Sequence, residues 1–280
     1  MKQESTRRDR RCGRRPDRRR LDVLLVERGL CTSRQEAVRL ILSGNVRVVG
    51  VATAKAGCLV PADAMLEVAG PAHPFVSRGG LKLQHALATF GVDPRGRICL
   101  DVGASTGGFT DCLLQTGARQ VIAVDVGYGQ LADRLRHDPR VHVLERTNIR
   151  HLESSGLPST PDLATIDVSF ISLQLVLPVV RRLLTPPADV VALVKPQFEV
   201  GRGRVGKGGV VRDPALHRSV LEGLAGAASD LGLLVRGLAA SPLLGPMGNR
   251  EFLLHLRPEG PAADVPVLIA RAIEPVVAAG

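Results

Sequence analysis

The sequence predicts an α/β protein in which a mostly parallel sheet follows a small α+β module. Two observations carry this prediction. From Ile98 onward, short apolar strands alternate with helical segments, which is the pattern of a parallel sheet covered by helices on both faces. Before that point, residues 20–66 hold two short helical segments and then small strands. A chain of 280 residues has room for one ordinary domain and a smaller companion.

The chain opens with a basic arm, residues 1–19. The first 20 residues contain ten lysines and arginines against three acidic residues, so they hold +7 of the net charge of +10. A segment with so little apolar surface is not expected to fold alone. It is either a disordered arm that binds an anionic polymer or a solvated tail without a role.

The small module contains clear helix signals. The first helical pattern ends near Gly29. The second begins at Thr32-Ser33, where Glu36 completes a capping box, and it runs to Gly44. The alternating residues from Val46 onward predict a short strand followed by a turn.

The second domain is predicted to cover residues 78–280 and to end in a helix over 263–277. Two prolines and a glycine within residues 67–77 predict a linker before it. Helices fit between most of the strands, and the last strand is expected to run antiparallel. The predicted strands are Ile98–Val102, Gln120–Asp125, Val141–Glu145, Leu163–Asp167, Val190–Val194, Leu233–Ala239 and Glu251–Leu256.

Several classes of protein are disfavoured by composition. No apolar run reaches the roughly 18 residues that a membrane span needs, and the N-terminus lacks the apolar stretch of a signal peptide. The five cysteines are widely spaced without a Cys-x-x-Cys pair, so neither a disulfide framework nor a metal site is expected. These features favour a protein of the reducing cytoplasm.

A glycine-rich turn follows the first strand of the predicted sheet. The strand ends in Asp101-Val102, and Gly103, Gly107 and Gly108 then open the entry to a helix. The next strand ends at Asp125, where an acid can hold ribose hydroxyls. The turn matches neither a dinucleotide fingerprint nor a P-loop. A nucleoside without a pyrophosphate fits better, and this indicates S-adenosylmethionine.

Three charged residues occupy further strand ends. Asp167 ends the fourth strand, Lys195 ends the fifth and Glu251 starts the last. Each alone would be assigned to a structural ion pair, but their convergence at one sheet edge indicates a catalytic site. Lys195 is the candidate base that removes a proton from a hydroxyl during methyl transfer. Lys82 is the candidate second ammonium, which would favour the neutral amine, and the two acids would orient the lysines.

The motifs that carry a family resemblance are spread along the chain. They are Ser77–Leu83, Asp101–Thr110, Asp125–Leu131, Glu145–Asn148, Asp167–Ser172, Val194–Glu199 and Gly248–Glu251. On these motifs the sequence resembles the TlyA family of ribosomal RNA 2'-O-methyltransferases, from Arg20 to the C-terminal helix. The resemblance implies a Rossmann-like class I methyltransferase sheet of the FtsJ-like type, in which Lys82, Asp167, Lys195 and Glu251 form a catalytic tetrad.

The resemblance also covers the small module. Residues 20–66 are similar to the small RNA-binding domain first named for a small-subunit ribosomal protein, through Ser33-Arg34 and Gly44-Asn45-Val46. Val49 stands where that domain usually has an Asn before its turn glycine. Phe75 stands where some family members have a linker Trp.

The family implies S-adenosylmethionine-dependent methylation of cytidine in large-subunit (23S) ribosomal RNA, with small-subunit (16S) RNA as an additional target in some members. Ribosomal RNA or ribosomal subunits are then the partners, and whether both subunits are methylated stays open. Arg20, Arg34 and Arg47 are expected to contact RNA phosphates, because few aromatic residues are available for stacking. The expected cofactor-binding residues are Asp101, Gly103, Ala104, Ser105, Gly107, Asp125, Val126, Asn148 and Asp167.

Some alternatives compete with these interpretations. Asn148 suits an adenine contact and an ordinary turn equally well. The glycine-rich basic loop 201–209 suits a lid over RNA and a disordered loop equally well. The competing functions are a membrane-active haemolysin, an RNA-binding protein with an inert methyltransferase fold, and a small-molecule O-methyltransferase. A haemolysin is disfavoured because the sequence has no amphipathic aromatic helix. An inert fold is disfavoured by the intact lysines and acids, and a small-molecule enzyme would not need the N-terminal module.

Overall fold

The computed structural model describes residues 17–31, 33–51, 55–68, 73–201 and 203–274. Several predicted features therefore lie partly outside the described residues. They are the arm (residues 1–16), the start of the second helix (Thr32), the linker (residues 69–72), the glycine-rich basic loop (Arg202) and the end of the closing helix (residues 275–277). Within the described ranges the chain forms a small α+β domain and a larger α/β domain, and this confirms the predicted fold class.

The small domain consists of two helices and two two-stranded antiparallel sheets. β1 pairs with β3, and β2 pairs with β4. Leucines 21, 24 and 25 of the first helix pack on the second helix and on the strands. The elements are β1 (Arg18–Arg20), α1 (Leu21–Glu27), α2 (Arg34–Leu42), β2 (Val46–Val48), β3 (Leu59–Pro61) and β4 (Leu66–Val68).

Local signals explain where the helices of this domain start. Ser33 caps α2, and its Oγ accepts the N–H of Glu36 at 3.1 Å. This confirms the helix start predicted after Thr32-Ser33. Strand β1 is a correction, because Arg18 and Arg19 belong to it although the sequence assigned them to the disordered arm. They are ordered by pairing with β3, in the register Arg18 with Pro61 and Arg19 with Val60.

The larger domain has a seven-stranded sheet in the order β10-β11-β9-β8-β5-β6-β7. Five neighbouring strands are parallel, and β11 runs antiparallel to both β9 and β10, as predicted for the last strand. The strands are β5 (Ile98–Val102), β6 (Gln120–Val124), β7 (Val141–Leu144), β8 (Leu163–Ile166), β9 (Asp189–Val194), β10 (Leu234–Ala240) and β11 (Phe252–Arg257).

Helices cover both faces of this sheet. One face packs on α6, α8 and α9, and the other packs on α3 and α4. Phe75, in the predicted linker, is buried in the second of these cores, so the linker ends inside the larger domain. The helices are α3 (Gly79–Phe90), α4 (Gly108–Gln115), α5 (Asp133–Arg136), α6 (Leu173–Leu183), α7 (Pro196–Glu199), α8 (Pro214–Asp230) and α9 (Val265–Ile273).

The topology determines where a ligand can bind. β5 lies at the centre of the parallel strands, with β6 on one side and β8 on the other. Chain order reverses at this point, and ligands of open α/β sheets bind beyond the carboxyl ends of such strands. The residues after β5, β6, β8 and β9 therefore face a common crevice.

Candidate active site

The structure brings the four predicted tetrad residues together around one cavity of about 190 Å³. Lys82 comes from the first turn of α3, Asp167 follows β8, Lys195 follows β9 and Glu251 precedes β11. They form two ion pairs. Lys82 Nζ lies 2.5 Å from Glu251 Oε2, and Lys195 Nζ lies 2.6 Å from Asp167 Oδ1.

The two acids differ in electrostatic properties, because the neighbouring ammonium groups outweigh burial at only one of them. Glu251 is only 1% exposed, and burial raises its pKa although the ammonium of Lys82 opposes this effect. Burial alone would also raise the pKa of Asp167, but the ammonium groups of Lys195 and Lys82 outweigh it and lower that pKa below its ordinary value. Asp167 is therefore a carboxylate near neutral pH, and it fixes the position of Lys195.

A second cavity, of about 910 Å³, joins the first. Both are lined by Gly103, Ser105, Asp167 and Ser169, so these residues mark their junction. The walls of the larger cavity include apolar side chains from the ends of β5 and β6, Val102 and Val124. Such a large cleft with apolar walls and a few polar groups is typical of a small-molecule site.

The glycine-rich turn is held against the end of β6 by Asp125. The carboxylate of Asp125 accepts the N–H of Ser105 at 2.8 Å and the N–H of Gly127 at 2.6 Å. Gly103 has φ of 87°, and a Cβ there would lie 2.5 Å from the carbonyl oxygen of Asp167. Only glycine permits this close approach. The structure thus gives Gly103 and Asp125 definite positions in the cavity wall.

Two predicted cofactor residues lie outside both cavity walls. Asp101 is fully buried, and its carboxylate accepts Thr110 Oγ1 at 2.6 Å and Thr165 Oγ1 at 3.1 Å. Burial raises the pKa of Asp101 to about 7. Gly107 supplies a left-handed turn before α4, and a Cβ there would collide with Leu135. Asp101 and Gly107 therefore stabilise the glycine-rich turn without lining either cavity.

The other predicted cofactor residues line the cavities. Ala104 lies in the wall of the smaller one, and Val126 and Asn148 lie in the wall of the larger one. The side chain of Asn148 accepts the N–H of Arg150 at 3.1 Å, so it makes a turn contact and faces the cavity as well. A direct contact with adenine stays a prediction.

Two aromatic side chains of the site were missed by sequence analysis. Phe170 is 90% exposed with φ of 64°, and it lies in the wall of the larger cavity together with Phe198. The two ring centroids are 5.0 Å apart. A signal was available, because Phe170 lies within the Asp167–Ser172 motif and Phe198 follows Lys195 by three residues.

Two polar residues were also missed. Ser169 accepts a hydrogen bond from Lys195 Nζ at 3.0 Å, and this is a second contact that orients the lysine. Arg78 is exposed in the wall of the smaller cavity, and in the described part of the chain its guanidinium forms no ion pair. It can therefore bind an anionic ligand.

The predicted RNA-binding arginines have partners inside the protein. Arg20 Nη2 and Arg34 Nη2 lie 2.9 Å and 3.0 Å from the same oxygen of the buried Asp22. Arg20 contributes most to holding the pKa of Asp22 at about 2. Arg47 lies 3.7 Å from Glu67 and is largely exposed. All three guanidinium groups retain exposed surface, and their contact with phosphates stays a prediction.

The glycine-rich basic loop, residues 201–209, is anchored at its C-terminal end. Asn249 Nδ2 donates to the carbonyl of Gly209 at 2.9 Å, and Asn249 Oδ1 accepts the N–H of Val211 at 3.0 Å. Asn249 directly precedes Arg250 and Glu251. The end of this loop is thus tied to the segment that carries one tetrad acid.

Known proteins share this architecture. The family model described as "FtsJ-like methyltransferase" matches residues 75–258, and the Mycobacterium tuberculosis "16S/23S rRNA (cytidine-2'-O)-methyltransferase TlyA" is 51% identical over 241 residues, 86% of this chain and 90% of that protein. The chain belongs to the TlyA family of FtsJ-like methyltransferases. The S4 domain model matches residues 19–50, so the small domain is an S4 domain.

Other TlyA relatives carry different names. The Bacillus subtilis protein YqxC, named as an rRNA methyltransferase, is 53% identical over 238 residues, 85% of each chain. A solved structure from Streptococcus thermophilus, named as a hemolysin, is 44% identical with a TM-score of 0.72 and covers 92% of this chain and 94% of its own. Within the described part of this chain, no helix combines the length and the apolar character that crossing a bilayer requires.

Membership of this methyltransferase family makes S-adenosylmethionine the cofactor. The described residues fit it. Gly103 presents its backbone to both cavities, Asp125 supplies a carboxylate at the end of β6, and the cavity of about 910 Å³ accommodates a nucleoside. The sequence-based expectation of this cofactor is confirmed.

Proposed function

We propose that this protein transfers a methyl group from S-adenosylmethionine to the ribose 2'-hydroxyl of a cytidine in ribosomal RNA. The observation that carries the proposal is the Lys195–Asp167 ion pair, which lies where the catalytic cavity meets the cofactor cavity. The name of the Mycobacterium tuberculosis relative, at 51% identity, supports the cytidine and the 2'-oxygen as the target. Because the proposed substrate is ribosomal RNA, we expect the protein to act in the cytoplasm.

Lys195 is the general base of the proposed reaction. Bound S-adenosylmethionine supplies a methyl group that is already activated on a sulfonium. In its neutral form, Lys195 Nζ accepts the 2'-hydroxyl proton as the hydroxyl oxygen forms its bond to the methyl carbon and the sulfur–carbon bond breaks. Asp167 and Ser169 hold the amine in place through contacts of 2.6 Å and 3.0 Å. General-base catalysis of this kind depends first on such geometry.

The second ion pair supports the first. Lys82 and Glu251 are both buried and lie 2.5 Å apart, so the tetrad holds two cations and two anions when all its members are charged. Burying so many charges is tolerated only when they are paired. This balance fixes the shape of the cavity, and it places a positive charge near the base in either protonation state of Lys195.

The remaining polar and aromatic groups suit a nucleotide substrate. Proteins commonly bind an unstacked RNA base on an aromatic side chain. Phe170 is exposed beside the cofactor cavity and is supported by Phe198. Arg78 can bind a phosphate at the mouth of the catalytic cavity, and the exposed arginines of the S4 domain extend this positive surface toward the rest of the RNA.

The experiment is transfer of a labelled methyl group to ribosomal subunits from a strain that lacks the gene. We expect label in a cytidine 2'-oxygen of the large-subunit RNA, and label in the small-subunit RNA would add the second target. A protein with Lys195→Met provides the control for contaminating activity. Failure of the wild type to methylate ribose in either subunit would overturn the proposed function.

A further inference from the structure

Helix α2 of the S4 domain lies against the methyltransferase domain. Arg39 Nη1 and Asp133 Oδ1 are 3.0 Å apart across the two domains. Asp133 is the first residue of α5, and the preceding Ala132 donates its N–H to the carbonyl of Thr106 at 3.1 Å. The interdomain ion pair is therefore one residue away from a direct contact with the glycine-rich turn of the cofactor site.

A second contact brings the end of α2 close to the catalytic cavity. Gly44 has φ of 78°, and a Cβ there would lie 2.6 Å from Nε of Arg78. Arg78 lies in the wall of the catalytic cavity. Glycine at this position thus serves two purposes, since it ends α2 in a left-handed turn and leaves room for the arginine.

Leu42, the last residue of α2, is part of the wall of both cavities. Its side chain is half-exposed. The S4 domain therefore supplies an apolar group at the junction where the cofactor and the reacting hydroxyl must meet. A domain that only tethered RNA would have no need to contribute to this wall.

We propose that Leu42 is a positioning residue of the methyl-transfer site, and that the Arg39–Asp133 ion pair holds it there. The inference rests on the proposed function and extends it. The S4 domain completes the reaction cavity, and its docking sets the distance between the RNA that it binds and Lys195. Excluding water from this junction is also expected to favour the transfer, because charged groups interact more strongly in a drier site.

The contacts involved can be changed without unfolding the protein. The Arg39 side chain is 19% exposed and the Asp133 side chain is 70% exposed, and ion pairs with a largely solvated partner contribute little to stability. Leu42 lies outside the buried core of the S4 domain. A change in activity of variants at these three positions can therefore be attributed to altered docking of the S4 domain on the methyltransferase domain.

Charge reversal tests the ion pair. Arg39→Asp and Asp133→Arg each bring like charges together, and each should lower the single-turnover rate on saturating ribosomal subunits on the order of tenfold. The affinity for subunits should change much less than the rate. The double variant restores an ion pair with reversed polarity and should recover most of the rate. Additive losses in the double variant, or unchanged rates in both single variants, would overturn the proposal.

Truncation tests the wall contact. Leu42→Ala should lower the single-turnover rate roughly threefold to tenfold through lost apolar contact. Leu59→Ala is the matched control, because Leu59 belongs to the same domain and has nearly the same exposure, 54% against 52% for Leu42. Leu59 is part of neither cavity wall and should leave the rate unchanged. Equal effects of the two truncations would contradict a positioning role.

A binding measurement separates this inference from the proposed function. Leu42 lines the cofactor cavity, so Leu42→Ala should also weaken S-adenosylmethionine binding in calorimetry without any RNA, and Leu59→Ala should not. If wild-type protein failed to methylate ribosomal RNA but Leu42→Ala still weakened cofactor binding, the proposed substrate would be wrong and the domain contact would stand. Unchanged cofactor affinity together with an unchanged rate would remove Leu42 from the site.

Discussion

Lys195 and Asp167 form an ion pair across the ends of two neighbouring parallel strands, with Nζ and Oδ1 2.6 Å apart. The Lys195 side chain is mostly buried in the wall of the catalytic cavity, and its partner Asp167 lines both the catalytic and the cofactor cavity. Removing either partner leaves the other charge poorly compensated. Variants that test the base must therefore control for the lost ion pair.

Lys195→Arg and Lys195→Met together test the base and control for the lost ion pair. Arginine keeps the positive charge beside Asp167 but stays protonated in proteins, whereas methionine removes the charge. If Lys195 is the base, both should lower the methyl-transfer rate by about two to four orders of magnitude. Single-turnover kinetics on ribosomal subunits measures the rate, and calorimetry checks that cofactor binding persists. High activity of Lys195→Arg would show that charge alone suffices and would exclude the base role.

Asp125→Ala tests the cofactor loop. The change removes the acceptor of the Ser105 and Gly127 N–H groups and a carboxylate from the cavity wall. The expected loss of S-adenosylmethionine affinity is on the order of 1.5–3 kcal/mol. Asp138→Ala is a suitable control, because Asp138 also accepts a backbone N–H, that of Arg140, but lines neither cavity. Calorimetry that finds the same affinity in both variants would remove Asp125 from the site.

The sheet and the clustering of the four charged residues were predictable because they depend on strong local signals. Runs of buried aliphatic residues mark each parallel strand, and a charged residue directly after such a run has few alternatives to a ligand-facing position. The proximity of Lys195 to Asp167 was predicted in this way. The pairing of Lys82 with Glu251 was only partly foreseen, since the two residues are 169 positions apart and only the fold brings them together.

The residues that sequence analysis missed or misplaced have side-chain orientations that the sequence pattern does not determine. Asp101 was expected to face the cofactor, but its carboxylate faces Thr110 and Thr165 beneath the turn. Phe170 looks like a core residue by type, and its exposure follows from a positive φ that phenylalanine rarely adopts. The contact of Leu42 with the active site depends on how two domains dock, which periodicity within one helix cannot reveal.

Asp22→Asn should destabilise the protein in a pH-dependent way. The arginines beside Asp22 hold its pKa at about 2 in the folded protein, below its ordinary value of about 3.9. A depressed carboxyl pKa contributes stability above the unfolded pKa, and this contribution is lost as pH falls through the folded pKa. We therefore expect a loss of about 1–2 kcal/mol near pH 7, discounted for the half-exposed arginines, and a smaller difference between pH 4 and pH 2.

Urea unfolding of the two proteins at several pH values measures this difference. Asp17→Asn provides the control, because Asp17 is exposed and lies 3.3 Å from the exposed Arg19. Its substitution should have little effect at any pH. A destabilisation of Asp22→Asn that stayed constant down to pH 2 would contradict the electrostatic account and assign the loss to the hydrogen bond from Val23.

Phe170 provides a test in which stability and activity should change in opposite directions. Its φ of 64° is strained for a side chain with a Cβ, and strain of this kind costs on the order of 1–3 kcal/mol. Phe170→Gly should relieve the strain, and because the ring is 90% exposed, little packing is lost. The added flexibility of glycine in the unfolded chain offsets part of the gain. We expect a melting temperature that is unchanged or slightly higher, together with a lower rate of RNA methylation.

The size of the activity loss follows from stacking. A base stacked on an aromatic ring contributes about 1–3 kcal/mol by alanine substitution, so Phe170→Ala and Phe170→Gly should both lower kcat/KM for ribosomal subunits roughly tenfold to a hundredfold. Phe170→Tyr retains the ring face and should keep most of the activity. If alanine and tyrosine behaved alike, the ring would not be the surface on which the target base stacks. If glycine lowered the stability, the positive φ of Phe170 would be supported by packing and would not be a source of strain.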